Sequence, residues 1–204
     1  TVLTTAENIP IEAEVQAILP RFRGEIMQLP PMYSALKVGG QKLVDLARQG
    51  VTVERQARPV TVHTLTAAPT ETPTDYTLDV TCSGGTYIRT LCKDIGAALG
   101  CGGCMESLRR VQAGEYSIAQ SVPLATLLET ADPGQYLRTV DSMFCNYPAV
   151  TLTAKQELRC RNGNSFSIAL ADGKYRAYGE NGEFLMLAQV DGGTMSTIKS
   201  FFEV

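Results

Sequence analysis

Strand-like and helix-like stretches alternate along this 204-residue sequence, and the fold class it predicts is α+β, in two parts. Three observations carry that reading. YTLDVTC (76–82) alternates, with Tyr76, Leu78, Val80 and Cys82 on one face, as a half-buried strand does. From Thr86 the period lengthens, and Ile88, Leu91, Cys92, Ile95 and Leu99 mark one face of a helix that ends at Gly100. After Tyr147-Pro148 short runs are separated by Asn-Gly, Asp-Gly, Asn-Gly and Asp-Gly-Gly, which are hairpin signals, so 147–204 reads as a small β-barrel-like domain.

The remaining elements follow in order. Residues 10–19 form a helix, with Ile11, Val15, Ile18 and Leu19 on one face and Pro20 as its stop. Pro30-Pro31 exclude a helix interior or a central strand, so 22–40 is an ordered loop or edge segment. QKLVDLARQG (41–50) is a short helix closed by Gly50. Residues 51–66 are extended with a break near Pro59. A turn of helix at 104–109, a strand through 111–118 and connecting helical turns over 120–145 complete the first part. Neither repeats nor low-complexity tracts occur.

Hydrophobic content of 44% against 19% charged residues excludes a disordered chain. No apolar run reaches the roughly 20 residues that span a bilayer. Six cysteines in a long, regularly patterned chain point to free thiols in a reducing compartment. The net charge of -3 is unevenly spread: residues 21–58 carry seven Lys/Arg against three acids, and 85–110 four against two. A basic surface can therefore coexist with an acidic remainder, although charge alone favours scattered solvated groups.

Several motifs hold chemistry in principle. CGGC (101–104) is a turn with buried thiols, a redox pair or half of a metal site. A structural zinc site wants four Cys/His ligands, whereas His63 is the only histidine and no second cysteine pair exists. The same scarcity argues against His-based catalysis, leaving His63 structural or on the surface. SGGTY (83–87) is a strand-to-helix turn with Thr86 as N-cap, or a weak anion nest. Arg89 stands in the first helical turn, where an acid is preferred, and is either a surface residue or a fork for a carboxylate or phosphate. In PPMYSALK (30–37), Tyr33 sits in a loop stiffened by prolines. It is either packed at a core edge or free to stack on an unpaired base.

Three segments together resemble the bacterial TruB tRNA pseudouridine synthases: FRGEIMQLPPMYSALKVGGQKLVDLARQGVTVERQARPVTVHTL, CSGGTYIRTLCKDIGAALGCGGCMESLRRVQAGEY, and NYPAVTLTAKQELRCRNG with the strands after it. The resemblance implies a mixed, largely antiparallel sheet with flanking helices over 1–145, part of a catalytic domain, and a PUA-like RNA-binding domain over 147–204. It implies isomerisation of the uridine at position 55 in the T-arm of tRNA, by a cytoplasmic monomer using an aspartate nucleophile and neither metal nor cofactor. Taking the target base out of its stack is what such chemistry requires. Arg89 matches the arginine paired with the nucleophile, Tyr33 the tyrosine stacked on the flipped base, and Tyr87 and Leu108 substrate contacts; Lys37 and Arg109 are expected to bind substrate beside them.

Two departures stand out. The family nucleophile lies in a Gly-x-Leu-Asp-Pro-like motif that does not occur here, and Asp45, Asp75, Asp79, Asp94, Asp132 and Asp141 lie in other contexts. TVLTTA resembles family sequence well after that motif, so the expectation is a truncated chain, inactive alone. Gly84 stands where the family often has Lys, and Val44 where it often has Tyr; both are expected to alter local contacts, not the reaction. Two other readings remain at this level: a non-catalytic RNA-binding or tRNA-chaperone protein, and a thiol redox protein using Cys101 and Cys104.

Overall fold

The computed structural model describes residues 5–202. The chain divides into two compact units, Thr1–Arg109 and Arg110–Val204.

In the first unit, helix α1 (Glu12–Ile18) carries Glu12 and Glu14 in its first turn, where the helix dipole favours acids, and Glu14 accepts from the Ile11 amide at 2.9 Å. Pro20 does not end the helical path. A 3-10 turn, Leu19–Phe22, continues it with Pro20 at its second position, where the N–H that proline lacks has no partner to lose. Strand β1 (Gly24–Gln28) follows as an edge strand, the second of the two forms expected for 22–40. β2 (Lys37–Val38) and β3 (Gln41–Lys42) form a small hairpin around Gly39-Gly40, both at positive φ. Helix α2 (Leu43–Arg48) is closed by Gly50, also at positive φ.

The break expected near Pro59 is absent: β4 (Arg58–Pro69) runs through it. Pro59 lies opposite Met27 of β1, before the first residue of β4 that pairs with β5 (Tyr76–Cys82), so a missing N–H is tolerated there. The order is β1-β4-β5, antiparallel throughout. Helix α3 (Ile88–Ala98) lays Leu91 and Ile95 on this sheet with Val15 and Leu19, against Val62, Leu65 and Ala67.

After Gly100 the chain turns back on α3. A Cβ at Gly96 would collide with the Gly102 carbonyl carbon and the Gly103 nitrogen, and one at Gly103 with the Cys92 carbonyl oxygen. The glycines of CGGC are thus turn and close-approach residues, but the thiols are not buried as expected: Cys101 is half-buried and Cys104 exposed. The helical turn expected at 104–109 is not formed, because the segment leaves this contact as irregular chain. The single strand expected over 111–118 is instead a two-residue hairpin, β6 (Gln112–Ala113) and β7 (Tyr116–Ser117), around Gly114.

In the second unit, 3-10 turns (Ile118–Gln120, Pro133–Tyr136, Val140–Phe144) and helix α4 (Leu124–Glu129) provide the expected helical turns. A five-stranded sheet follows. It contains β8 (Ala149–Thr151), β9 (Phe166–Ser167), β10 (Gly173–Tyr178), β11 (Phe184–Asp191) and β12 (Thr194–Ser200), in the order β8-β10-β11-β12-β9. Only β8 and β10 run parallel. Asn181-Gly182 and Asp191-Gly192-Gly193 turn hairpins as the sequence suggests. Asn162-Gly163 instead closes an unforeseen helix, α5 (Ala154–Arg161). The core is Leu152, Cys160, Phe166, Ala177, Leu185, Met186, Ala188, Val190 and Met195. No helix among the described residues is long and apolar enough to cross a membrane.

Candidate active site

The site is built where β5 meets α3. Ser83 continues the β5 pairing through its amide to the Thr61 carbonyl, and its hydroxyl accepts from the Thr61 amide. Gly85 takes φ +87, the conformation a tight turn needs at its third residue. Thr86 is not the N-cap: its hydroxyl donates back to the Ser83 carbonyl at 2.9 Å, and the cap is Tyr87. Tyr87 has no side-chain cap of its own. Its amide donates to Gln28 Oε1 at 2.7 Å, and its carbonyl accepts from Gln28 Nε2 at 3.1 Å. Gln28 is only 2% exposed, and sequence reasoning gave it no role.

Arg89 is exposed at the second position of α3, and its Nη2 donates to the Tyr33 carbonyl at 2.8 Å. Among the described residues it makes no ion pair. Tyr33 is 57% exposed and Leu108 60%. Lys37 and Arg109 are exposed, and Tyr87 is half-buried. The structure therefore brings Arg89, Tyr87 and the Tyr33 backbone together. No hydrogen bond or ion pair joins Leu108 or Arg109 to them among the described residues. Lys37 lines a separate cleft of about 210 Å³ with Pro30, Leu43, Glu54, Arg55 and Arg58, where Arg55 Nη1 donates to the Pro30 carbonyl.

Several acids are engaged elsewhere. Asp45 faces Arg48 at 4.0 Å, Asp75 accepts from Thr74, and Asp132 caps a 3-10 turn. Asp141 accepts from Tyr178 at 2.6 Å. Burial pushes the Cys92 thiol above its usual range, so it is held as the unreactive thiol at neutral pH. The described residues contain no group of three or more His, Cys, Asp or Glu that could hold a metal ion. In the second unit a cleft of about 520 Å³ at the start of α5 is lined by Thr153, Lys155, Arg159, Ser165, Ser167 and Thr194, among others, and by no carboxylate.

A protein of Burkholderia mallei named tRNA pseudouridine synthase B is 40% identical over 205 residues, which cover 96% of this chain and 68% of that protein. This chain belongs to the TruB family. The model of the TruB family pseudouridylate synthase N-terminal domain matches residues 1–88, and that of the tRNA pseudouridylate synthase B C-terminal domain residues 89–140. Relatives of the same name in Pseudomonas putida (strain GB-1) and Clostridium kluyveri are 43% and 38% identical, over 93% and 88% of the chain. The chain spans 64% of the length of each.

Solved structures share the fold. A Cbf5-Nop10-Gar1 complex matches with a TM-score of 0.68 at 20% identity, over 97% of this chain and 64% of that one. An H/ACA RNP bound to a substrate RNA containing 2'-deoxyuridine matches with a TM-score of 0.68 at 17% identity, over 98% and 64%. The expectations of a TruB-family, pseudouridine synthase-like α+β fold hold.

Proposed function

We propose that this chain supplies the substrate-binding and charge-stabilising part of an enzyme that isomerises uridine to pseudouridine at position 55 in the T-arm of tRNA. The observation that carries the reading is the setting of Arg89 in a TruB-family chain. Its guanidinium is exposed at the start of α3, beside Tyr87, with a backbone carbonyl as its only hydrogen-bond acceptor among the described residues. A cation there attracts a carboxylate, and the proposed partner is the nucleophilic aspartate of the parent protein, outside residues 1–204. An arginine within a few ångströms favours the ionised carboxylate and fixes its direction.

In this reading the base leaves its stack, is detached from the ribose, turns and rejoins through carbon 5. Tyr33 offers an open ring to the displaced base, and Tyr87, Leu108, Lys37 and Arg109 bind the RNA around it. Residues 1–145 are the catalytic-domain part and 147–204 a PUA-like RNA-binding domain. The carboxylate-free cleft with Lys155 and Arg159 supports phosphate binding by the latter. The enzyme works as a monomer in the cytoplasm, where its tRNA substrate resides.

The test uses the full-length protein and an unmodified tRNA transcript carrying 5-tritiated uridine, whose label is released on isomerisation. Arg89→Ala is expected to lower kcat by about 10²- to 10³-fold, the effect of losing a preorganised charge-stabilising donor. Loss of tRNA affinity should be small. Unchanged turnover removes Arg89 from the mechanism. A wild-type protein that binds tRNA without turnover would replace the enzyme reading with the RNA-binding one.

A further inference from the structure

Gln28 is an anomaly of composition. It is a long polar side chain, 2% exposed, at the last residue of an edge strand. A buried amide is tolerated only if its hydrogen bonds are made inside the protein, and here both go to the backbone of one residue, Tyr87, 59 positions away. Tyr87 is the N-cap of α3. In a capping box the N-cap amide is taken by Glu or Gln at the third helical position. That position here is Thr90, which is buried. Gln28 thus supplies from β1 the half of the box that α3 lacks.

The bond pair closes a ring of contacts around the site. Five residues after Gln28 the chain reaches Tyr33, and two residues after Tyr87 the helix presents Arg89, whose guanidinium donates to the Tyr33 carbonyl at 2.8 Å. Segments 28–33 and 87–89 are therefore tied at both ends, by Gln28–Tyr87 and by Arg89–Tyr33. The second tie is exposed, whereas the first starts from the buried Gln28 and is part-buried. The first fixes where the helix begins, and with it where the guanidinium can reach.

We infer that Gln28 is a positioning residue for the isomerisation, holding Tyr87 and Arg89 in register with the loop that carries Tyr33. This rests on the function proposed above. Two substitutions in the full-length protein test it. Gln28→Met keeps the length and removes both hydrogen bonds. Gln28→Glu keeps the acceptor for the Tyr87 amide, and its carboxyl donates to the Tyr87 carbonyl only while protonated, a form that burial favours.

With unmodified tRNA, Gln28→Met should lose about a hundredfold in kcat, the scale of a misplaced catalytic group, with KM nearly unchanged. Its ratio to wild type should not vary with pH. Gln28→Glu should approach wild type at low pH and fall away as pH rises and the introduced carboxyl ionises against the carbonyl. Assays are run well below each variant's Tm. An active wild type with undiminished kcat in Gln28→Met overturns this inference alone, as does a rise in KM with kcat unchanged. So does a Gln28→Glu protein whose ratio to wild type is flat across pH. A wild type that does not turn over tRNA overturns the functional reading and this inference with it.

Discussion

Helices α3 and α5 begin in opposite ways. α5 is capped by its own sequence: Thr153 accepts from the Gln156 amide, and the Gln156 side chain accepts from the Thr153 amide at 3.0 Å. α3 has no such box and borrows Gln28 from a strand 59 residues away. Arg89 also stands in its first turn, against the helix dipole. The self-capped helix starts where local chemistry puts it. The borrowed cap starts α3 only when β1 is in place, so the geometry of the candidate site depends on tertiary structure. A helix that carries only packing needs no such dependence.

The contrast can be broken most strongly at Gly96. A methyl group there would meet the backbone of Gly102 and Gly103, which cannot swing aside like a side chain. Gly96→Ala should destabilise the first unit by about 1–3 kcal/mol, the usual range for overpacking, visible as a lower midpoint in urea. A wild-type midpoint would mean that the turn after α3 is free to move.

Thr153→Ala should be milder. Loss of a local N-cap removes about 1 kcal/mol. The effect should appear in thermal unfolding while kcat at saturating tRNA stays unchanged, because the cleft that Thr153 lines is proposed to bind RNA and not to act on the base. A kcat loss comparable to that of Gln28→Met would erase the distinction between the two helix starts.

The smallest effect concerns Asp141, beside α5's own sheet. A hydrogen bond from Thr139 and then one from Tyr178 hold its carboxyl below the usual carboxylate range, with Arg176 at 3.7 Å adding to them. A depressed native value stabilises the fold above the unfolded value, and that contribution is lost as pH falls through the native one. Asp141→Asn should therefore have a lower Tm than wild type at neutral pH, with the gap closing in acid. A gap independent of pH would assign the effect to packing alone.

How far the sequence could be read follows the same divide. The alternation of β5, the period of α3 and the asparagine- and aspartate-glycine turns of the last two hairpins are local, and each lies where the pattern predicts. Arg89 stands out in the sequence because it falls in the first turn of a helix marked by its period, and the role proposed for it comes from the family resemblance. Gln28 was not, since no local pattern marks a residue whose two partners belong to a helix 59 positions on. The start of α5 was legible in Thr-Ala-Lys-Gln, a capping-box spacing, but Asn162-Gly163 reads equally well as a hairpin turn. The β2–β3 hairpin went unread, because Gln41 and Lys42 look like the first residues of the helix that in fact begins at Leu43. Pro59 misled because its place at the end of the pairing, where only β1 lies alongside, is a property of the sheet.

The turn behind α3 has a consequence for how this region can vary. Gly96 and Gly103 meet as bare main chain, so the contact contains no side-chain information. A single added carbon at either position blocks it. The path by which the chain leaves α3 toward Leu108 and Arg109 is thus specified by two missing atoms. A survey of substitutions should find those two positions brittle for lack of space and Gly100 and Gly102 costly for their positive φ, with Cys101 and Cys104 replaceable at little loss.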